Sequence, residues 1–442
     1  MDKKMIGVIA VVAILLVSAV SVYMLTSDDD NGTPTGLDDA ELQVFGNING
    51  DRFIDSKDQS LIEQLIDDGS TATEYPMADA NQDGVLDSKD VDVVKSIING
   101  EKTTVWHINQ HDADGSGTID SIVVSTKFPI TSAIANGNGN MLTLLYSLGI
   151  HDQIKGCSKS SSVDLAMYGD VYFSADDANL GTSSSAITFE DGKVGSSNVI
   201  AEKNVTAVIT QSHRSYLTNE ADFEKSNIDV VRVSPASADP VLFVHSIMLL
   251  GLLFEVSDIA DDYVDYNFKV LDYVEKNTAS VKGTVSAVAS SMTGYISVGE
   301  SDYRDYIIKA GGVYGLDHKD FGTTTSIVVN DYKEVYLEDF QRIIHFRTGL
   351  NYDQTEESNQ KYWNTYSKAF SDWQYADSGQ FVTGGSLPPC LRVAYAAAAM
   401  YPDQVTLDAV DKLHQEYLDK FCSENDFDMD SMKFLLSNST MN

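Results

Sequence analysis

The feature that most constrains this chain is a duplicated acidic segment near its N-terminal end. Asn47, Asn49, Asp51, Phe53, Asp55 and Asp58 recur 32 residues later as Asp79, Asn81, Asp83, Val85, Asp87 and Asp90. Both copies put carboxylates or amides at positions 1, 3, 5, 9 and 12 of a loop, the spacing at which hard oxygen ligands wrap one calcium ion. Phe53 and Val85 stand at position 7, which serves through its backbone carbonyl. Gly84 at position 6 permits the sharp turn of the second copy. Arg52 stands there in the first, where it is expected to strain the turn and weaken the site.

After each loop the apolar residues fall at identical offsets, Leu61, Ile62, Leu65 and Ile66 against Val93, Val94, Ile97 and Ile98. That predicts one helical face per repeat, starting at the twelfth loop residue. From Asn47 to Asp90 there are eleven acidic and three basic residues, a net of −8. Gathering those carboxylates without a metal is repulsive, so folding here is expected to be coupled to calcium. The segment at about 42–100 resembles a type I dockerin, the module that plugs into cohesin domains of cellulosomes and related surface complexes. The resemblance implies a small all-α calcium-binding unit and a cohesin-bearing surface partner. In that family positions 10 and 11 help choose the cohesin; here they are Ser56-Lys57 and Ser88-Lys89, the same pair twice. A third fragment, with Asp112, Asp114, Ser116 and Asp120, again looks like a calcium loop but has Val123 at position 12. It is read as either a weak metal site or an acidic turn within a linker at 101–120.

Upstream, Lys3 and Lys4 precede an uncharged run at 5–25, and Asp28, Asp29 and Asp30 follow. The run is long enough to span a bilayer, and its flanks place the rest of the chain outside the cytoplasm. It reads as an uncleaved single-pass membrane anchor over 1–26, with a cleaved signal peptide and a secreted body as the alternative. Residues 27–41 form a polar tether. The formal net charge of −36 excludes nucleic-acid binding by phosphate neutralisation. Cys157, Cys390 and Cys422 match neither a disulfide framework nor a zinc motif.

Residues 121–442 alternate short apolar strands with helical patterns, an α/β signature. Strands are expected at 130–135, 205–210, 228–233, 285–289 and 343–346. Helices are expected at 141–148, ended by Gly149, and at 303–310, stopped by Gly311-Gly312. One long helix, opened by Asp239-Pro240 and running from Val241 to about Lys276, joins two lobes at 121–238 and 283–442. Five segments then resemble the class III solute-binding proteins of ABC importers. They are Tyr146–Ile150, the Thr-Ala-Val-Ile strand at 206–209, Asp239-Pro240, Ile307–Gly312, and the stretch from Leu391 to Pro402. That family takes up ferric siderophores, haem and vitamin B12. The resemblance implies two parallel-sheet lobes around a ligand cleft, a spine helix at 239–282 and an ABC permease as membrane partner.

Ligand sites in α/β folds concentrate at strand ends. The expected ligand contacts are therefore Asn138, His213, Arg214 and Tyr216 from the first lobe, and Tyr295 and Arg347 from the second. The two arginines are expected to face one another and grip an anionic, metal-chelate or corrinoid ligand. For each of them a structural or surface role is the alternative. No catalytic set emerges: the chain lacks a G-x-S-x-G elbow, a Walker A loop and a dinucleotide fingerprint. A dockerin-bearing hydrolase, which would use two carboxylates, and a non-catalytic adhesion scaffold are the competing readings.

Overall fold

The computed structural model describes residues 42–113, 119–137, 139–157, 189–190, 193–194, 204–299, 301–322, 324–331, 340–425 and 427–441. Each acidic loop leads into a helix, α1 (Ser56–Asp67) and α2 (Ser88–Ile98). These start at the tenth loop residue, earlier than the apolar spacing indicates. The reason is local: Asp55 and Asp87 are N-caps, and each forms a reciprocal capping box with Asp58 or Asp90. The helices pack on each other through Ile62, Val91 and Val94, all buried.

Thr103–His111 forms strand β1, where a linker was expected, and it pairs antiparallel with β2 (Asp120–Phe128). The third acidic fragment therefore lies between two paired strands. Asp112 follows β1 and Asp120 opens β2, and Asp114 and Ser116 lie outside the described residues. This strand pair lies beside the first lobe: Asn109 Nδ2 donates to the Val230 carbonyl, and the Arg232 amide donates to Asn109 Oδ1.

The first lobe contains β3 (Ala133–Ala135), α3 (Gly139–Ser147), β4 (Ile154–Cys157), the short pair β5 (Phe189–Glu190) and β6 (Lys193–Val194), β7 (Ala207–Gln211), α4 (Glu220–Lys225) and β8 (Asp229–Val233). Its main sheet runs β4-β3-β7-β8, all parallel. Such strands, covered on both faces, read as continuous apolar runs, which is why β7 and β8 were legible. Gly149 ends α3 at φ 71°, with its amide on the Tyr146 carbonyl.

The expected single spine helix is two helices, α5 (Pro240–Leu253) and α6 (Ser257–Thr278). Glu255 adopts φ 59°, its amide meets the Leu252 carbonyl and the Val256 amide meets the Gly251 carbonyl. This is a Schellman stop made without glycine, so the sequence carries no visible break. α5 is apolar on all sides and buried along nearly its whole length. α6 carries its buried face, Ala260, Val264, Val270 and Val274, into the second lobe.

That lobe contains β9 (Ser286–Ser290), β10 (Tyr295–Ser297), α7 (Asp302–Lys309), β11 (Val313–Tyr314), β12 (Ser326–Val328), β13 (Arg342–Arg347), α8 (Glu356–Ala369), α9 (Ala376–Gly379), β14 (Gln380–Gly384), α10 (Pro389–Met400), α11 (Leu407–Phe421), β15 (Leu435–Leu436) and α12 (Asn438–Met441). The sheet order is β11-β9-β13-β14-β15, parallel except for β15. Buried His414 and Tyr395, with the half-buried Tyr352 and Asp411, form one hydrogen-bonded chain behind it. Tyr395 donates to Asp411, so His414 Nδ1 donates to Tyr395 and its Nε2 accepts from Tyr352; burial keeps this imidazole neutral, pushed down to about 3. Among the described residues no helix is long and apolar enough to cross a membrane, and the apolar run at 5–25 lies outside them.

Candidate functional site

Both lobes end their parallel strands in short polar loops, and a chain of contacts brings these ends towards each other. The Tyr306 hydroxyl on α7 donates to the carbonyl of Ala236, in the crossover after β8. Arg392 on α10, almost wholly buried, donates to Tyr306 Oη at 3.1 Å and to the Leu387 carbonyl at 2.6 Å. At the start of α7, Asp302 keeps solvent access yet is hemmed in enough for desolvation to raise it to about 6, against the pull of Arg392. A recess between the lobes is lined here by Ala238, Phe243, Tyr306, Lys309 and Pro389. Away from it the lobes are also tied, by Ser147 Oγ on Tyr417 Oη at 2.6 Å and Asn425 Nδ2 on Tyr146 Oη at 2.5 Å.

On the first lobe, the loop after β7 carries His213, Arg214 and Tyr216 together. His213 caps the short turn at Arg214–Tyr216, its Nδ1 accepting from the Ser215 amide at 3.2 Å. Its Nε2 then carries the proton and faces the buried Asp112 carboxylate at 3.7 Å. Asp112 also pairs its backbone with this loop, donating to Ser212 and accepting from Arg214. Its role is thus to shape the His213 loop. Arg214 is exposed. Tyr216 packs edge-on to His213, and its carbonyl accepts from Asn136 Nδ2, which also reaches Thr210 Oγ1 at 3.1 Å. Asn136 is a positioning group that periodicity could not single out. Asn138 lies outside the described residues.

On the second lobe, Arg347 ends β13. Its guanidinium donates to the Ser291 carbonyl and lies over the Tyr366 ring at 4.4 Å, while its buried Nε has no partner. The Gly384-Gly385 turn after β14 comes so close that a side chain at Gly385 would strike the Arg347 backbone at 2.9 Å. Tyr295 opens β10 opposite Val328, with its amide on the Met292 carbonyl in the same Ser291–Tyr295 loop. Tyr295 and Arg347 thus share one rim. Tyr303 of α7 reaches the same end of β13, its ring 5.6 Å from that of Phe346, a placement from a helix that strand-end reasoning misses.

The acidic loops form a separate centre. In the first, Asp58 is buried and accepts from the amides of Ile48, Asn49 and Asp55 at 3.0, 3.2 and 2.9 Å. Desolvation pushes its carboxyl up to about 6. Asn47 is buried, its Nδ2 on the Leu42 and Asp51 carbonyls, and its Oδ1 has no partner. An amide oxygen left bare in the interior costs about 1–3 kcal/mol, and a cation is the partner such an oxygen fits. In the second, Asp79 accepts from the Asp83 and Gly84 amides, Asp90 from those of Asn81 and Asp87, and burial raises both carboxyls. Gly84 takes φ 84°, while Arg52 avoids the left-handed region, which Gly50 enters at φ 71° two residues earlier. Among the described residues no three His, Cys, Asp or Glu side chains converge as a metal set. A calcium ion would therefore rely on amide and carbonyl oxygens, from Asn47, Asn49 and Phe53 or from Asn81 and Val85, beside the carboxylates.

No protein-family model matches the sequence, and no curated protein does either. Solved structures do. A TroA-like periplasmic binding protein, FepB, from Veillonella parvula aligns with TM-score 0.53 at 15% identity, covering 71% of this chain and 96% of its own. A periplasmic solute-binding protein from Veillonella parvula DSM 2008 gives TM-score 0.50 at 13% identity, covering 74% and 96%. The body of the chain therefore has the α/β fold of the TroA-like periplasmic binding proteins.

Proposed function

We propose that this protein is the extracytoplasmic solute-binding component of an ABC importer, taking a ferric-siderophore, haem or cobalamin-type ligand between its lobes and passing it to a membrane permease. The observation that supports the reading is the pair of parallel-sheet lobes, joined where the loop after β8 at Ala236 meets Tyr306 of α7, itself held by Arg392 of α10. The similar solved structures are named as binding proteins. Arg214 and Arg347 supply cationic contacts from opposite lobes, so a ligand touching both favours the closed form. In this proposal the loops at 47–58 and 79–90 hold calcium, the run at 5–25 anchors the chain, and the paired Ser-Lys positions engage a cohesin-type surface partner. Metal and chromophore analysis of the purified chain, followed by titration with ferric siderophores, haem and cobalamin, tests the reading. Saturable one-to-one binding of one class is expected; no binding, with reducing sugar released from polysaccharides, would replace it with the hydrolase reading.

A further inference from the structure

We infer that the first acidic loop is a calcium-dependent brace on the inter-lobe helices, with Arg52 as its latch. The inference rests on the calcium reading of that loop and adds what the ion would control. Three contacts place the 42–100 segment astride the joint. Its leading residues extend β1: the Ile108 amide meets the Gln43 carbonyl at 3.0 Å, and the Phe45 amide meets the Trp106 carbonyl at 2.9 Å. The buried His245 of α5 closes this seam, accepting from the Gln43 amide at Nδ1 and donating from Nε2 to the Ile108 carbonyl. Gly100, after α2, lies beside the Glu255 side chain, whose carboxylate a β-carbon there would displace, at the stop between α5 and α6.

The third contact is Arg52. Its Nη1 reaches Asp261 at 2.7 Å and Asp265 at 2.8 Å on α6, and its guanidinium lies over the Phe268 ring at 5.6 Å. The equivalent position in the second loop, Gly84, faces open space. The residue that breaks the loop pattern is thus the one that holds the loop to the body. Ordering of the loop by an ion presents Arg52 to α6, and docking on α6 preorders the loop, so the two equilibria are coupled and the coupling is reciprocal.

The test is calorimetric calcium titration and thermal unfolding of the full chain, comparing wild type with Asp261→Asn/Asp265→Asn and with Asp258→Asn. The double variant lies outside both loops, and Asp258→Asn removes a neighbouring exposed charge from the same helix. We expect the double variant to bind calcium about three- to tenfold more weakly at one of two sites, as two partly exposed ion pairs allow. Its calcium-induced rise in Tm should shrink, while Asp258→Asn behaves as wild type. Unchanged affinity and an unchanged Tm rise in the double variant would overturn the brace, as would an equal loss in Asp258→Asn. Wild-type chain that takes up no calcium would overturn the calcium reading itself, and the brace with it.

Discussion

At position six the first acidic loop carries Arg52, held by Asp261 and Asp265 of α6, while the second carries Gly84 beside open space. The two loops otherwise share spacing, capping boxes and a following helix. The difference teaches that a departure from a ligand pattern can be read as a contact as well as a defect. The first loop belongs to the joint between the lobes; the second keeps the turn the pattern prescribes and has nothing packed at that point.

The largest effect should come from Asp58→Ala. It leaves three backbone amides without their acceptor in a buried setting, a cost of about 2–4 kcal/mol at ~1–3 kcal/mol per buried group partly relieved by water. Urea denaturation followed by circular dichroism should show that loss. Asp90→Ala should weaken calcium binding at its own loop and leave hydrogen exchange of the α6 amides unaltered. Equal slackening of α6 in both variants would erase the distinction between the loops.

Next in size is an exchange at position six. Arg52→Gly should lower whole-chain stability by about 1 kcal/mol, because Asp265 is largely exposed and its pair with Arg52 is screened. Gly84→Arg should cost about 1–2 kcal/mol of second-loop stability for the left-handed backbone alone, read as weaker calcium affinity. Neither effect should appear in the other loop.

A pH series separates the acids. Asp58 in the folded chain without calcium holds its proton up to about 6, whereas an unfolded aspartate releases it near ~4. The folded state therefore binds more protons in that window, and calcium-free stability should fall as pH rises from about 4 to 6. Asp302 and Asp411, each also raised to about 6, act in the same direction and do not respond to calcium. The difference between stability curves with and without calcium isolates the loop carboxyls, and calcium affinity should drop as pH falls through about 6. The smallest effect is at Lys89, whose ammonium lies on Asp83 and Asp87. Its removal should tighten calcium binding by less than about threefold, since exposed pairs contribute little.

Much of this architecture was legible because its causes are local. Parallel strands buried on both faces gave β7, β8, β9 and β13 as apolar runs, and Gly149 and Gly311 marked helix ends. The break at Glu255 was hidden because the left-handed residue there is not glycine. β1 was hidden because Trp106, His107, Asn109 and Gln110 do not alternate in polarity, a pattern explained once His107, Asn109 and Gln110 are seen buried between module and lobe. Strand-end reasoning pointed to His213, Arg214, Tyr295 and Arg347, which do stand at strand ends; it missed Asn136, Asp302 and Arg392, which act through contacts remote in sequence. Arg52 is the sharpest case: its partners lie more than two hundred residues away.

The most direct measurement is a fluorescence titration of the full chain, with calcium present, against whichever ferric siderophore, haem or cobalamin quenches the wild type. Arg214→Ala and Arg347→Ala are titrated alongside it. At roughly 1.5–3 kcal/mol for a hydrogen bond to a charged group, each replacement should weaken binding about tenfold to a hundredfold while the calcium isotherm stays as in wild type. Undiminished affinity in the double replacement would contradict a site built between the strand ends of the two lobes.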